Sequence, residues 1–340
     1  MSTELHSKVP VSARRRRRVT LLGAVVATTG VLLAGCGSGP SQIGAAAIVG
    51  DTVIPVDVIQ QQIDSYVAKE PQGQQELQQH KLDQQSRTIV AQRVLHELTQ
   101  IAAKREGINV NDADVTKLID DNGGADAIAK GRTFDAAAVP GVVRDQLVRE
   151  ALGLKYLTKL SVVVDYTSAA SPGEAQDKAK KIAADPAKMA EIVKADASSA
   201  ATQQGFGARL GTSVTAAQIA QIAQNSQTGQ DGQDMSPLLG VRPGTVVAFA
   251  PSQQNAGWIV AYVRKRDTNS TVDMSTVSKQ LDPERAGLII GTRVLQSLAD
   301  DIGVRINPRY GVWDSGALAL AHSDEEKTVV VLPPVRTMAP

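Results

Sequence analysis

The pattern of apolar and polar positions near residue 50 predicts a hairpin that leads into a helix. Two β-prone runs, 46–49 and 52–54, flank Gly50 and Asp51, a pair that is typical of a tight turn. Pro55 follows, and proline is tolerated in the first turn of a helix. Apolar residues at i, i+4 and i+8 then predict an amphipathic helix. Its buried stripe is expected at Ile59, Ile63 and Val67.

The same helical period predicts three further helices, over 74–105, 112–121 and 140–160. After residue 160 the pattern changes to short β-prone runs that alternate with helical ones. The β-prone runs lie at 162–164, 244–250 and 258–264, and the helical runs at 174–197 and 215–225. Strands and helices mixed in this way indicate a small α+β domain. A helix over 274–301 and a strand over 304–306 follow.

These patterns predict an α+β, mostly helical protein with six segments. The segment after His322 carries charges and a Pro-Pro pair, which favour disorder. The segments are a signal peptide (1–35), a flexible tether (36–44), a helical core (45–160), an α+β domain (161–268), a returning helix and strand (269–320) and a disordered tail (321–340).

The first segment has the composition of an export signal. Five arginines, 14–18, precede an uncharged stretch, 19–35, and arginines in this position stay on the cytoplasmic side of a membrane. The stretch and the residue after it end in Leu33, Ala34, Gly35 and Cys36. These four residues resemble the lipobox of bacterial lipoproteins. The resemblance implies cleavage before Cys36 and a lipid on that residue.

The alternative is an uncleaved transmembrane helix. The uncharged stretch has 17 residues and is interrupted by glycine and threonine, whereas a membrane span needs about 20 apolar residues. Two acyl chains on Cys36, in contrast, bury enough methylene groups for stable anchoring. The sequence therefore predicts that the protein is exported through a Sec-type signal. It also predicts a lipid anchor in the outer face of the bacterial cytoplasmic membrane.

Composition then excludes several classes of function. Six of the 36 basic residues and one of the 35 acidic residues lie in the signal peptide, which leaves 30 basic against 34 acidic residues after it. This mildly acidic body lacks a basic patch with interleaved aromatic residues, so no nucleic acid is expected as a partner. Cys36 is the only cysteine. No Cys and His cluster has metal-ligand spacing, and no glycine loop suits phosphate, so neither a metal nor a cofactor is expected beyond the lipid.

Several individual residues could have a functional role, but each also has a simpler structural interpretation. His96 suggests a pH switch, but a surface or partly packed histidine is the simpler interpretation. The pairs Asp120-Asp121 and Asp300-Asp301 are read as solvated charge, because adjacent side chains on a helix diverge. Trp258 and Trp313 are either core residues or exposed anchors for a partner.

The order of hairpin, helices, α+β domain, returning helix and strand resembles the SurA and PrsA type of exported foldase chaperone. Residues 48–55 look like the opening run of that family, which leads into its first helix. Residues 307–314 look like its closing motif. The resemblance implies a SurA-like chaperone core built from both ends of the chain, 45–160 and 270–320.

The α+β domain resembles a parvulin-type prolyl isomerase. Residues 205–211 look like that family's Gly-Gly-x-Leu-Gly turn, and 239–247 look like its approach to a strand. Members of that family share one histidine on the first strand and another on the last strand, and both lie inside the proline pocket. Here Ile259 stands at the last-strand position, and the expected first strand, 162–166, has no histidine. The resemblance therefore implies a degenerate domain without catalytic residues.

Three functions remain open at this point. The first is a chaperone that binds unfolded exported polypeptides without nucleotide, in a cradle between the core and the α+β domain. The second is a prolyl isomerase that works without histidine, and the third is a structural adaptor of one envelope complex. Aliphatic and aromatic side chains would line the client surface of a chaperone. The candidates are Val94, Leu98, Leu147, Leu154 and Trp258.

Overall fold

The computed structural model describes residues 44–197, 207–227, 234–251, 257–272, 277 and 281–334. These residues belong to one compact unit, Gly39–Pro340. The signal peptide, the lipobox residues Leu33, Ala34 and Gly35, and Cys36 lie outside the described residues.

The opening hairpin is present and ties the two ends of the core together. Strand β1 (Ala45–Val49) pairs antiparallel with β2 (Thr52–Pro55), and Gly50 turns the chain at φ 56°. On its other edge β1 pairs antiparallel with β7 (Val304–Ile306). The predicted hairpin and the predicted strand at 304–306 are thus confirmed, and a single sheet joins residues that are about 250 positions apart along the chain.

Six helices lie between this hairpin and the α+β domain. They are α1 (Val56–Lys69), α2 (Pro71–Gln78), α3 (Leu82–Glu106), α4 (Asp112–Asp121), α5 (Ala125–Ala129) and α6 (Val139–Leu157). The single helix predicted over 74–105 is wrong. It is divided into α2 and α3 because His80 takes a left-handed conformation with φ 56°, which no α-helix accommodates.

The α+β domain contains a five-stranded sheet, formed by four of its own strands and by β10 (Val329–Leu332) of the C-terminal segment, in the order β10-β5-β6-β3-β4. Its elements are β3 (Ser161–Ala169), α7 (Pro172–Ala184), α8 (Lys188–Asp196), β4 (Arg209–Thr215), α9 (Ala216–Gln227), β5 (Val246–Phe249) and β6 (Trp258–Asp267). The helix predicted over 174–197 is divided at Asp185, which is extended (φ −147°, ψ 99°) because Pro186 disfavours the helical conformation before it.

Both faces of this sheet are covered by helices. One face of β6, with Ile259 and Val263, packs against α9, the end of α6 and α10 (Pro283–Ile302) in one apolar core. The other face, with Val260, packs against α7 and α8. The domain is therefore joined to the helical core by continuous packing. The predicted α+β, mostly helical fold is confirmed.

Helices α6 and α10 cross at very short range, and glycines make this possible. A Cβ atom at Gly153 would lie 1.8 Å from the carbonyl oxygen of Gly287, and one at Gly291 would lie 1.9 Å from that of Arg149. Both distances are far below van der Waals contact, so only glycine fits at these positions. The crossing fixes how the helical core meets the α+β domain, because α6 and α10 contribute to both.

The C-terminal segment is structured up to residue 334. Strands β8 (Val312–Asp314) and β9 (Ala319–Ala321) form a two-stranded sheet, and β10 (Val329–Leu332) pairs antiparallel with β5. The prediction of a disordered tail is therefore wrong for its described part. The physical reason is a long-range one, since β10 satisfies the backbone groups of β5, which would otherwise be an open sheet edge.

Candidate functional site

The position expected for a catalytic histidine in the α+β domain is part of the core. Ile259 is 0% exposed and is packed between the sheet and the helices. It lies opposite Ser168 on β3. An apolar side chain in a closed core offers neither a polar group nor space for a proline ring, so this position holds the fold together.

The buried polar residues of β3 fasten neighbouring elements to one another. Asp165 accepts a hydrogen bond from the backbone N–H of Gly211 at 2.7 Å and one from Nε of Arg264 at 2.6 Å. The carboxylate of Asp165 raises the pKa of Arg264 through this hydrogen bond. Thr167 donates to Asp196, which also pairs with Lys178 at 2.8 Å. These carboxylates have partners within the protein, which indicates a structural role.

Two of the proposed client-binding residues are core residues, and this part of the prediction is wrong. Val94 and Leu98 on α3 are both 0% exposed. They pack in the apolar cluster below the hairpin, which also contains Ile59 and Leu295. A client cannot reach them without unfolding α3. A cradle lined by these two side chains does not exist in this structure.

The other three candidates are separated from one another. Leu147 is half-buried and packs in the small cluster of α4 and α6 around Val143. Trp258 is half-buried in the cluster below α7. Leu154 is 40% exposed, beside Gly287 of α10. Among the five candidates, only Leu154 is therefore exposed.

A groove in the helical core brings together residues that sequence analysis left apart. It has a volume of about 490 Å³ and lies between α1, α3, the turn at 134–138 and α6. Its apolar wall consists of the half-buried side chains Leu95, Phe134, Ala138 and Val142. The rest of the lining is mostly polar. This combination of an apolar wall and convergent polar groups is typical of a binding site.

His96 and Asp145 form the polar centre of the groove. Nδ1 of His96 lies 2.6 Å from Oδ2 of Asp145, and Nε2 of Gln100 donates to Oδ1 at 2.9 Å. The hydrogen bond to Asp145 raises the pKa of His96, against the opposing effect of its burial. The structure therefore confirms that His96 is partly packed, and it adds a carboxylate partner that increases the protonated fraction of the imidazole.

Arg149 follows Asp145 by one helical turn on α6. Its Nε atom is buried and makes no hydrogen bond. Burial lowers the pKa of Arg149, and the charge of Asp145 opposes this effect. Guanidinium groups nevertheless keep their proton in proteins. The groove thus contains a half-buried cation, and the carboxylate of Asp145 that acts on its charge also contacts His96 and Gln100.

Side-chain hydrogen bonds join α1, Thr133 and α3 beside the groove. Arg93 donates from Nε and Nη2 to Oε1 of Gln62, at 3.0 and 2.8 Å. Nε2 of Gln62 donates a hydrogen bond to the carbonyl oxygen of Thr133. The side-chain hydroxyl of Thr133 donates to Oε1 of Gln92. These contacts fix α1 and the turn against α3. The width of the groove is therefore set by side chains that are themselves held in place.

Sequence analysis missed Asp145, Arg149 and Phe134 for a definable reason. Asp145 and Arg149 are spaced i, i+4 on α6, a pattern that is usual for a surface ion pair. His96, the partner of Asp145, is 49 residues away. Since α6 also carries Arg144, Gln146 and Glu150, no local signal distinguished Asp145 and Arg149 from surface charges.

Among the residues that the structure describes, no helix combines the length and the apolar character needed to cross a membrane. In the same residues, no group of three or more histidine, cysteine, aspartate or glutamate side chains is placed to hold a metal ion.

The chain matches no protein-family model and no curated protein sequence. It is similar to the solved structure of the peptidylprolyl isomerase PrsA from Bacillus anthracis, at 15% identity over 62% of this chain and 96% of that one, with a TM-score of 0.23. It is also similar to the foldase protein PrsA from Lactococcus lactis, at 14% identity over 78% of this chain and 95% of that one, with a TM-score of 0.26. Both TM-scores are too low to carry an argument about fold or function.

Proposed function

We propose that this protein is a lipid-anchored chaperone that binds unfolded or partly folded exported polypeptides without nucleotide. The groove between α1, α3 and α6 is the observation that carries the proposal. Its volume of about 490 Å³ lies in the usual range of binding sites, and its lining combines apolar and polar side chains. An unfolded chain presents the matching chemistry, because apolar side chains and backbone polar groups alternate along it.

The proposed mechanism is reversible burial of client side chains. Apolar groups of the client bury surface against Leu95, Phe134 and Val142, which stabilises the complex by roughly 25 cal/mol per Å². Backbone groups of the client exchange hydrogen bonds with the polar wall. Since the groove covers only a few residues of an extended chain, each contact is weak, and the client is released without an energy source.

The test uses residues 37–340, which include every described element, with a chemically unfolded protein that aggregates on dilution. We expect near-equimolar suppression of light scattering without nucleotide. Val142→Glu, which places a charge on the apolar wall, should weaken suppression at least threefold. Leu77→Glu is the matched control, because Leu77 is 49% exposed on α2, outside the groove, and suppression should be unchanged.

Two results would contradict this proposal. Equal loss in both variants would place the binding surface elsewhere. An absence of suppression by the parent protein, even in large excess, would favour the adaptor function, in which a single envelope partner co-purifies with the protein.

Export and anchoring are part of the proposal and rest on the lipobox resemblance. Cys36→Ala is expected to abolish partitioning into detergent and to leave a mass that still includes residues 1–35, because no thiol remains for the lipid. Ser38→Ala is the control and should be processed normally. Acyl groups on the Cys36→Ala protein would exclude Cys36 as the lipidated residue.

Prolyl isomerase activity is not part of the proposed function. Ile259 is packed in the core, and no described residue of the first strand, β3, is a histidine. We expect residues 37–340 to leave the rate of a proline-limited refolding reaction unchanged. Acceleration that persists at substoichiometric concentration would restore the isomerase alternative.

A further inference from the structure

The groove has a cation at its inner end. Along α6 the groove extends from Gly141, which is exposed, to Arg149, whose Nε is buried. On α3, Thr99 lies at the same inner end and is 0% exposed. Eight residues of helix span about 12 Å, the length of three to four residues of extended chain. The lining of the groove is therefore exposed at Gly141 and more buried toward Thr99 and the half-buried Arg149.

Arg149 is the group at this inner end that lacks a partner. A buried charge without a counter-ion destabilises a protein. The charge of Asp145 raises the pKa of Arg149, but the two oxygens of Asp145 lie at hydrogen-bond distance from His96 and Gln100. Arg149 makes no ion pair or hydrogen bond with any other described residue, which leaves its guanidinium available to a ligand.

On the basis of the proposed function, we infer that the groove captures the free C-terminal carboxylate of a polypeptide, with Arg149 as its receptor. A guanidinium binds a carboxylate through two parallel hydrogen bonds. A chain terminus fits a groove with a buried end, whereas an acidic residue within a chain would require the backbone to leave on both sides. The aliphatic side chains of the last residues would contact Leu95 and Val142.

The charges around the groove are compatible with an anionic ligand. Arg93 and Arg149 are cationic, and His96 gains positive charge from its contact with Asp145. Asp145 is the single carboxylate among the described residues that line the groove. An added carboxylate would therefore meet a net positive surface.

The experiment measures binding of fluorescent peptides to residues 37–340 by anisotropy. Three peptides share one aliphatic sequence: the first has a free C-terminal carboxylate, the second has a C-terminal amide, and the third has the amide and an internal glutamate. We expect the free acid to bind at least tenfold more tightly than the other two, about 1.4 kcal/mol. In Arg149→Met, which keeps an unbranched side chain without the charge, this preference should disappear.

Two further variants separate the interpretations. Arg149→Lys keeps the charge without the planar fork and should show an intermediate preference. Arg132→Met removes an exposed arginine outside the groove and should preserve the full preference. Equal binding of acid and amide by the parent protein, or tighter binding of the internal glutamate peptide, would overturn the inference.

Failure of this inference and failure of the proposed chaperone function would give different results. If acid and amide bind equally and Val142→Glu weakens both, the groove binds polypeptides without reading their terminus. If no peptide binds and light scattering is not suppressed, the proposed function itself fails. If the preference survives in Arg149→Met, the carboxylate is bound by another residue and the inference is wrong.

Discussion

At the scale of single residues, the tertiary environment decides what each side chain does. Leu98 and Leu154 are the same residue type on amphipathic helices, yet the first is 0% exposed and the second 40%. Asp300 and Asp301 are adjacent, and the sequence indicates solvated charge for both. The structure shows that this holds for Asp301, whose side chain is 51% exposed and pairs with Arg242 at 2.6 Å.

Asp300 differs from its neighbour and leads to a prediction about pH. Burial raises the pKa of Asp300 to about 6 from 3.8, with a further increase from Asp301 and an opposing effect from Arg242. Between these two values the folded state binds the proton more tightly than the unfolded state, so this group lowers stability as the pH rises from about 4 to about 6.

Asp300→Asn should therefore be more stable than the parent protein at pH 7.5, by roughly 1–2 kcal/mol once partial exposure is allowed for. At pH 4 the two proteins should unfold alike, since the parent carboxyl is then protonated in the folded state. Urea unfolding at several pH values measures the difference. Asp324→Asn, which changes an exposed carboxylate, is the control, and it should not gain stability in this pH window. A gain that is independent of pH would contradict the assignment.

At the scale of the secondary-structure elements, the crossing of α6 and α10 is the most restrictive contact. Alanine is a better helix former than glycine by about 1 kcal/mol, so substitution of a helical glycine normally stabilises. At Gly153 the added Cβ would lie 1.8 Å from the carbonyl oxygen of Gly287 and 2.6 Å from the nitrogen of Gly291. Backbone atoms cannot rotate away, so the two helices must separate.

Gly153→Ala is expected to destabilise the protein by at least about 2 kcal/mol, the usual cost of overpacking. Gly141→Ala on the same helix is the matched control, because nothing lies within 4 Å of a Cβ there. It should leave stability unchanged or raise it by up to about 1 kcal/mol. Thermal or urea unfolding of both variants measures the contrast, and equal effects would show that the crossing is more tolerant than its geometry indicates.

At the scale of the whole molecule, both ends of the described chain return to sheets formed by other segments. Strand β1 pairs with β7, and β10 joins the edge of β5. The pairing of β10 with β5 depends on Asp314, which is 2% exposed. Its carboxylate accepts hydrogen bonds from the backbone of Ala317 at 2.9 Å, Thr328 at 2.8 Å and Val329 at 3.3 Å.

Asp314→Ala should release this C-terminal segment from the sheet. We expect faster amide hydrogen exchange in β5 and β10, and a loss of about 1–3 kcal/mol in stability, because several buried donors lose their acceptor. Asp324→Ala is the control, since Asp324 is exposed and pairs with Lys327 at 2.7 Å on the surface. A surface pair of this kind contributes little. Unchanged protection of β10 in Asp314→Ala would show that strand pairing alone holds the segment.

The sequence by itself determined the local elements. The hairpin around Gly50, the helix over Asp112–Asp121 and the strand Val304–Ile306 follow from apolar spacing and turn residues that act within a few positions. Pro186 also explains locally why the helix predicted over 174–197 is divided into α7 and α8, although the helical pattern did not predict this break. These features depend on backbone preferences that each short segment carries with it.

Only the tertiary structure decided which residues meet. The burial of Val94 and Leu98, the glycine crossing of α6 and α10, the pairing of β10 with β5, and the groove of His96, Asp145 and Arg149 all join residues far apart in the chain. The physical reason is that burial, close approach and charge pairing depend on the distance between atoms in space. A periodic pattern states that a side chain faces inward, but it does not state which side chain it will meet.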